Sequence, residues 1–158
     1  MTDGTGVTET EWTAWRTFTS MRRQLDVALE RQLQRDGDIS AAEYSVLITL
    51  FDAEGKQLRA RDLGMVLAWE KSRVSHQVSR MEKRGLVERR ECDTDARGTF
   101  ISLTADGKRA VLGAMREHSA TIRSYFFDVL TPAELESLRA ASKRVLDVIT
   151  PVNCDESP

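Results

Sequence analysis

The sequence contains no long apolar run. Nothing near its start is long enough for a signal peptide, and no stretch reaches the roughly 18 consecutive apolar residues that a membrane-spanning helix needs. A soluble, cytoplasmic protein without a membrane partner is therefore expected. Cysteine is equally scarce: Cys92 and Cys154 lie far apart, with neither neighbouring histidines nor the paired spacing of a zinc site. Both read as reduced, unligated thiols rather than as a staple or a metal site. Aromatic residues make up 6% of the 158, and the charged fraction of 30% argues against a large ligand-packed interior. A hydrophobic content of 41% still suffices for one real core, in one or two compact lobes. The phosphate-cradling patterns G-x-G-x-x-G and the P-loop are missing, so no cofactor is expected. Nor is there an internal repeat or a low-complexity linker.

Acidic and basic residues nearly balance, for a net charge of -2, but they are unevenly placed. From Lys56 to Arg109 there are 13 Lys and Arg against 8 Asp and Glu, a local +5, while the remainder has 10 against 17, or -7. A basic segment on an acidic body suits a chain that touches phosphates with one surface and offers another to water or to a partner.

A helix is expected from about Thr10 to Arg35, with Trp15, Phe18, Leu25 and Leu29 along one face. Ser40 can cap the next helix, Glu43 stands at the reciprocal capping-box position, and Ile39 can staple over Tyr44; this helix should end near Asp52. After a turn at Gly55, the residues Leu63, Val66 and Leu67 give a short helix an inward face. A polar, basic helix follows from about Lys71 to Arg84. Val74, Val78 and Met81 form its apolar side, and Arg73, Gln77, Arg80 and Arg84 recur at helical spacing and are expected on the other. Gly85 fits a left-handed stop, and Leu86-Val87 opens a strand. Asp93, Asp95 and Gly98 bracket a hairpin tip, and Thr99, Ile101 and Leu103 alternate on the return. Thr104 can cap a long helix whose stripe carries Met115, His118, Ile122 and Tyr125. Thr131, Pro132 and Glu134 open a last helix bearing Leu135, Leu138, Val145 and Ile149.

This order predicts a mainly α fold with a small β-wing. A winged helix-turn-helix DNA-binding lobe is expected over residues 40–103, an N-terminal dimerisation helix over 10–36 and C-terminal dimerisation helices over 104–150. The terminal helices cannot all bury their stripes on so small a lobe, so they are expected to pack together across a two-fold axis as a homodimer. Two recognition helices would then enter successive major grooves, about 34 to 36 Å apart, on a pseudo-palindromic operator of double-stranded DNA.

On the basic helix, Arg73, Gln77 and Arg80 are candidates for base edges, since arginine can bond bidentately to guanine and glutamine to adenine. Ser72 and Ser75 are candidates for phosphates. His76 can contact DNA, bond within the lobe or face solvent. Two other readings stand beside this one. The first is a winged-helix module that docks a protein partner without strong sequence-specific DNA binding. The second is an enzyme built on Ser72, Ser75 or Ser79 beside His76, or on Cys92 with His76. The enzyme reading lacks a nearby acid and an oxyanion arrangement, so a non-enzyme is expected.

The runs SRVSHQVSRMEKRGLVERR, DTDARG and LTADGKR, in unbroken order, resemble the recognition helix, wing and start of the fifth helix of the MarR family of bacterial transcription regulators. The similarity extends from about residue 12 to residue 149. It implies an obligate dimer joined by its N- and C-terminal helices, and usually a repressor released from DNA by a small aromatic or otherwise apolar ligand. By position, Asp95 would be the acid that steadies the wing loop. Arg97 would be the minor-groove contact, favoured there by the negative potential of a narrow groove, with Arg89 and Arg90 available to the DNA backbone. Asp93 and Asp95 also suggest calcium, but six properly spaced oxygen ligands are absent. The resemblance further implies an effector site between the dimer helices and the winged lobe. Trp15, Tyr44, Trp69 and His118, with Trp12, are candidates for an aromatic lining, and Arg16 for offsetting an acidic ligand. Core packing and an ordinary exposed arginine are the plainer alternatives.

Overall fold

The computed structural model describes residues 6–92 and 95–149, with side chains described outside 91–98. Among the described residues, six α-helices run in chain order as α1 (Glu9–Gly37), α2 (Ala41–Asp52), α3 (Ala60–Leu67), α4 (Lys71–Lys83), α5 (Ala105–Tyr125) and α6 (Pro132–Ile149). Three strands, β1 (Gln57–Arg59), β2 (Val87–Cys92) and β3 (Asp95–Leu103), form an antiparallel sheet in the order β1-β3-β2. The described residues divide into two compact units between Ser119 and Ala120.

The helix starts follow from capping chemistry. Thr8 and Glu11 exchange side-chain and backbone hydrogen bonds at the start of α1, which places it slightly earlier than the apolar stripe suggested. Ser40 and Glu43 do the same for α2, as expected from the sequence, and Ile39 beside them is buried. Thr104 accepts from the Gly107 amide at the head of α5, and Thr131 with Glu134 closes the first turn of α6. Gly85 adopts φ +70 beyond α4, the left-handed stop its position called for, and the chain turns there into β2.

The core of the first unit is a single apolar cluster. Leu47 and Leu50 from α2, Leu63 from α3, Val78 and Met81 from α4, Ile101 from β3 and Val111 from α5 are all buried in it. Val66, expected to face inward with Leu63 and Leu67, is instead 65% exposed. The helix is only eight residues long, and at 100° per residue Leu63 and Leu67 share a side that Val66 leaves. Strand β1 went unanticipated because three residues are too few to show alternation. It pairs with β3 as Gln57 to Ser102, Leu58 to Ile101 and Arg59 to Phe100, and so anchors the wing to the start of α3.

Large apolar side chains also remain on the surface. Trp15, Phe18, Met21 and Val27 are exposed on α1, and Val145, Leu146, Val148 and Ile149 on α6. No helix among the described residues is long and apolar enough to cross a membrane.

Candidate nucleic-acid interface and adjoining clefts

Helix α4 buries Val74, Gln77, Val78 and Met81 and exposes Lys71, Ser72, Arg73, Ser75, His76 and Arg80. The burial of Gln77 corrects the expected outward face: it retains 3% of its accessible surface. Residue 77 lies three positions after Val74 and four before Met81, so helical geometry places it on their side. From there it acts on the outer face indirectly, because its Oε1 accepts a hydrogen bond from Arg80 Nη2. A buried polar group needs such a partner, and this one holds a terminal nitrogen of an exposed guanidinium.

Arg73 is also held. Its guanidinium carbon lies 4.2 Å above the Trp69 ring, a cation–π contact worth about 0.5–1 kcal/mol at an exposed site. Trp69 is half-buried against the core, and its amide donates to the Gly64 carbonyl at 2.9 Å. The bulky residue before the helix therefore braces one of its exposed cations. Arg84, expected on the outer face, turns the other way and bonds to Glu43 and Asp38. It caps α4 in right-handed conformation with its amide still bonded to the Arg80 carbonyl, and the distant partners Glu43 and Asp38 set its direction.

On β2, Arg89 pairs with Glu82 and donates to Ser79 Oγ at 3.0 Å, and Arg90 pairs with Glu88. Surface pairs of this kind contribute about 0–1 kcal/mol, so exchanging a carboxylate for a phosphate costs little. The side chains of Asp95 and Arg97, assigned to the wing tip, lie outside the described residues, as do those of Cys92 and Asp93.

The six residues considered for an effector do not converge within the chain, and Trp12 lies with Trp15 on a separate hollow at the start of α1. Tyr44 and His118 do meet, with ring centroids 4.4 Å apart, on a cleft of about 560 Å³ between α1 and α2 that Asp26, Glu30 and Arg31 also line. Trp69 lies on a different cavity of about 670 Å³, between α3, α4 and the sheet. Trp15 is 57% exposed against Phe18, and Arg16 is paired with Glu9. Their helix turns these two side chains to the surface.

Two residues were missed from sequence, one bonded to His118 behind the cleft and one lining it. Gln32, buried on α1, accepts at Oε1 from His118 Nδ1 at 2.9 Å, and its Nε2 donates to Asp36 at 3.2 Å. A carboxylate only accepts, so it fixes the amide orientation. The amide oxygen then requires the proton on Nδ1, leaving His118 Nε2 as an acceptor. Burial pushes the imidazole below its ordinary pKa and keeps it neutral, and burial likewise raises the Tyr44 hydroxyl, with a further push from Asp52. Glu30, the second, caps α2 by accepting from the Ala41 amide at 2.8 Å. Gln32 and His118 stand 86 residues apart, and nothing local in either stretch signals their pairing.

A helix with a cationic, hydroxyl-bearing outer face, set beside an antiparallel hairpin and behind a short preceding helix, defines a winged helix-turn-helix protein of the DNA-reading class. Residues 37–98 match the MarR family. The chain is similar to Sco3205, a MarR family transcriptional regulator from Streptomyces coelicolor solved in complex with DNA, with a TM-score of 0.89 and 33% identity over 94% of this chain and 93% of that one. AbsC, a MarR family transcriptional regulator from the same organism, gives a TM-score of 0.87 and 37% identity over 90% of this chain and 96% of that one. The HTH-type transcriptional regulator PrsX of Escherichia coli is 28% identical over 108 residues, 68% of this chain. The match spans 64% of that curated relative's length. The chain belongs to the MarR family of transcriptional regulators.

Proposed function

We propose that this chain acts as a homodimeric, sequence-specific DNA-binding transcription regulator, a repressor released from its operator by a small aromatic ligand. The observation that carries the reading is the outer face of α4, where Arg73 and Arg80 are each braced from behind by a residue of the lobe. In this reading Arg73 and Arg80 meet base edges, with His76 beside them. Ser72, Ser75, Arg89 and Arg90 position phosphates, and Arg97 enters the minor groove from a loop steadied by Asp95. Gln77 acts through Arg80 rather than on a base. The exposed apolar side chains of α1 and α6 support a dimer, because patches of that kind on a free surface mark association sites.

The effector part of the reading rests on the cleft beside Tyr44 and His118, where two aromatic rings, an acceptor nitrogen and an arginine, Arg31, line one space. An aromatic molecule suits that lining, where Arg31 is set against the carboxylates of Asp26 and Glu30. To release DNA it must bind better to a dimer whose recognition helices are wrongly spaced, since a ligand with equal affinity for both states shifts nothing. Mass measurement in solution, followed by selection of bound duplexes from a random pool, tests the central claim. A dimer that enriches a pseudo-palindrome is expected, and a stable monomer without sequence preference would reject it.

A further inference from the structure

Arg84 holds three bonds across the back of the reading lobe. Nη1 donates to Glu43 Oε1 at 2.7 Å, and Nη2 donates to the Asp38 carbonyl at 2.8 Å and reaches Asp38 Oδ2 at 3.4 Å. Glu43 is a buried carboxylate whose second oxygen, Oε2, accepts from the Ser40 amide and hydroxyl at 2.9 and 3.1 Å. One carboxylate therefore serves two tasks, capping α2 and holding the residue that follows α4. Asp38 sits in left-handed conformation at the end of α1, so the guanidinium bridges the point where α1 passes into α2 and the point where α4 ends.

We infer that Arg84 is a positioning residue for DNA reading: it clamps the C-terminal end of the recognition helix to the α1–α2 junction without touching DNA. The inference rests on the reading of α4 as the helix that meets DNA. Its leverage comes from length. At about 1.5 Å rise per residue, Arg73 lies roughly 16 Å along the axis from Arg84, so a tilt of about 5° about the clamp moves Arg73 by about 1.4 Å. Specific contacts require placement within about 0.5 Å, whereas phosphate attraction tolerates larger shifts. Loss of the clamp therefore weakens the preferred duplex far more than an unrelated one. The junction also neighbours the cleft, since Tyr44 follows Glu43 and Glu30 caps the same turn of α2.

The test uses the full-length dimer, the duplex selected above and an unrelated duplex of equal length, titrated by fluorescence anisotropy over a range of salt concentrations. Arg84→Gln should lose about tenfold on the selected duplex and under twofold on the unrelated one, with the slope of log affinity against log salt unchanged. Glu43→Gln should give a similar loss, because a side-chain amide offers one acceptor oxygen and cannot serve both the cap and the clamp. The double variant should then lose no more than the worse single one. Arg84→Lys keeps the charge and one contact and should recover part of the preference while remaining folded. General destabilisation would lower binding to both duplexes alike and leave their ratio intact, which would overturn the inference. So would a salt slope reduced by about one, the mark of a direct phosphate contact, or additive losses in the double variant. A wild-type dimer with no preferred duplex would instead overturn the DNA-reading function, and this inference with it.

Discussion

Gly107→Ala and Gly113→Ala place the same methyl group twice on one helix, with opposite expected outcomes. At Gly107 a Cβ would stand 1.9 Å from the Leu86 carbonyl oxygen and 3.0 Å from its carbon, where ordinary contact begins at 3.4 Å. The obstacle is backbone, so the first turn of α5 must withdraw by about 1.5 Å. That movement breaks the bond from the Thr104 amide to the same Leu86 oxygen and the Thr104 cap on Gly107. Loss of the cap costs about 1 kcal/mol, the backbone bond about 1 kcal/mol and residual strain about 1–3 kcal/mol. Alanine's better helix propensity returns about 1 kcal/mol. The net is about 2–4 kcal/mol, or a fall in Tm of roughly 5–15 °C for a chain of this size. At Gly113 a Cβ meets nothing within 4 Å, so only the propensity remains and Tm should rise by about 2–4 °C. Scanning calorimetry of the two variants at equal dimer concentration checks this. A Gly107→Ala variant as stable as the wild type, or shifts of the same sign in both, would refute the close approach of α5 to the start of β2.

Arg80→Ala should relax base preference by about 1–3 kcal/mol if Arg80 makes a bidentate base contact, and equal losses on every duplex would place it on phosphate instead. Gln77→Ala should lower both Tm and base preference, because it opens the buried face and releases Arg80; a normal Tm with lost preference would return Gln77 to the outer face. Trp69→Phe should keep most of the affinity and Trp69→Ala lose more, measured by operator titration, since a smaller ring still braces Arg73 and a methyl does not. His118, held below its ordinary value of 6.5 by burial, binds a proton less readily when folded than when unfolded. Its contribution to stability is therefore present above that value and lost as pH falls through the folded one. His118→Gln should flatten the decline of Tm between about pH 7 and pH 5, and an unchanged decline would assign it to other groups.

Local chemistry was readable from the chain itself. Ser40 with Glu43, Thr131 with Glu134, the stop at Gly85 and the alternation into Leu103 all depend on residues within a few positions of one another, so sequence spacing determined the helices, the wing and their order. The position of Lys71–Lys83 between a short helix and a hairpin likewise marked it as the element proposed to face DNA. The direction of individual side chains needed the tertiary structure. Gln77 was misplaced because polarity suggested the surface, whereas three apolar neighbours carried its side of the helix inward. Arg84 was misplaced because its partners, Glu43 and Asp38, stand 41 and 46 residues away. The pairing of His118 with Gln32 and Tyr44, the separation of Trp69 from that cleft, and the third strand at Gln57–Arg59 arise in the same way. Each depends on which surfaces the packed core brings together, and a linear pattern holds no record of contacts between distant segments.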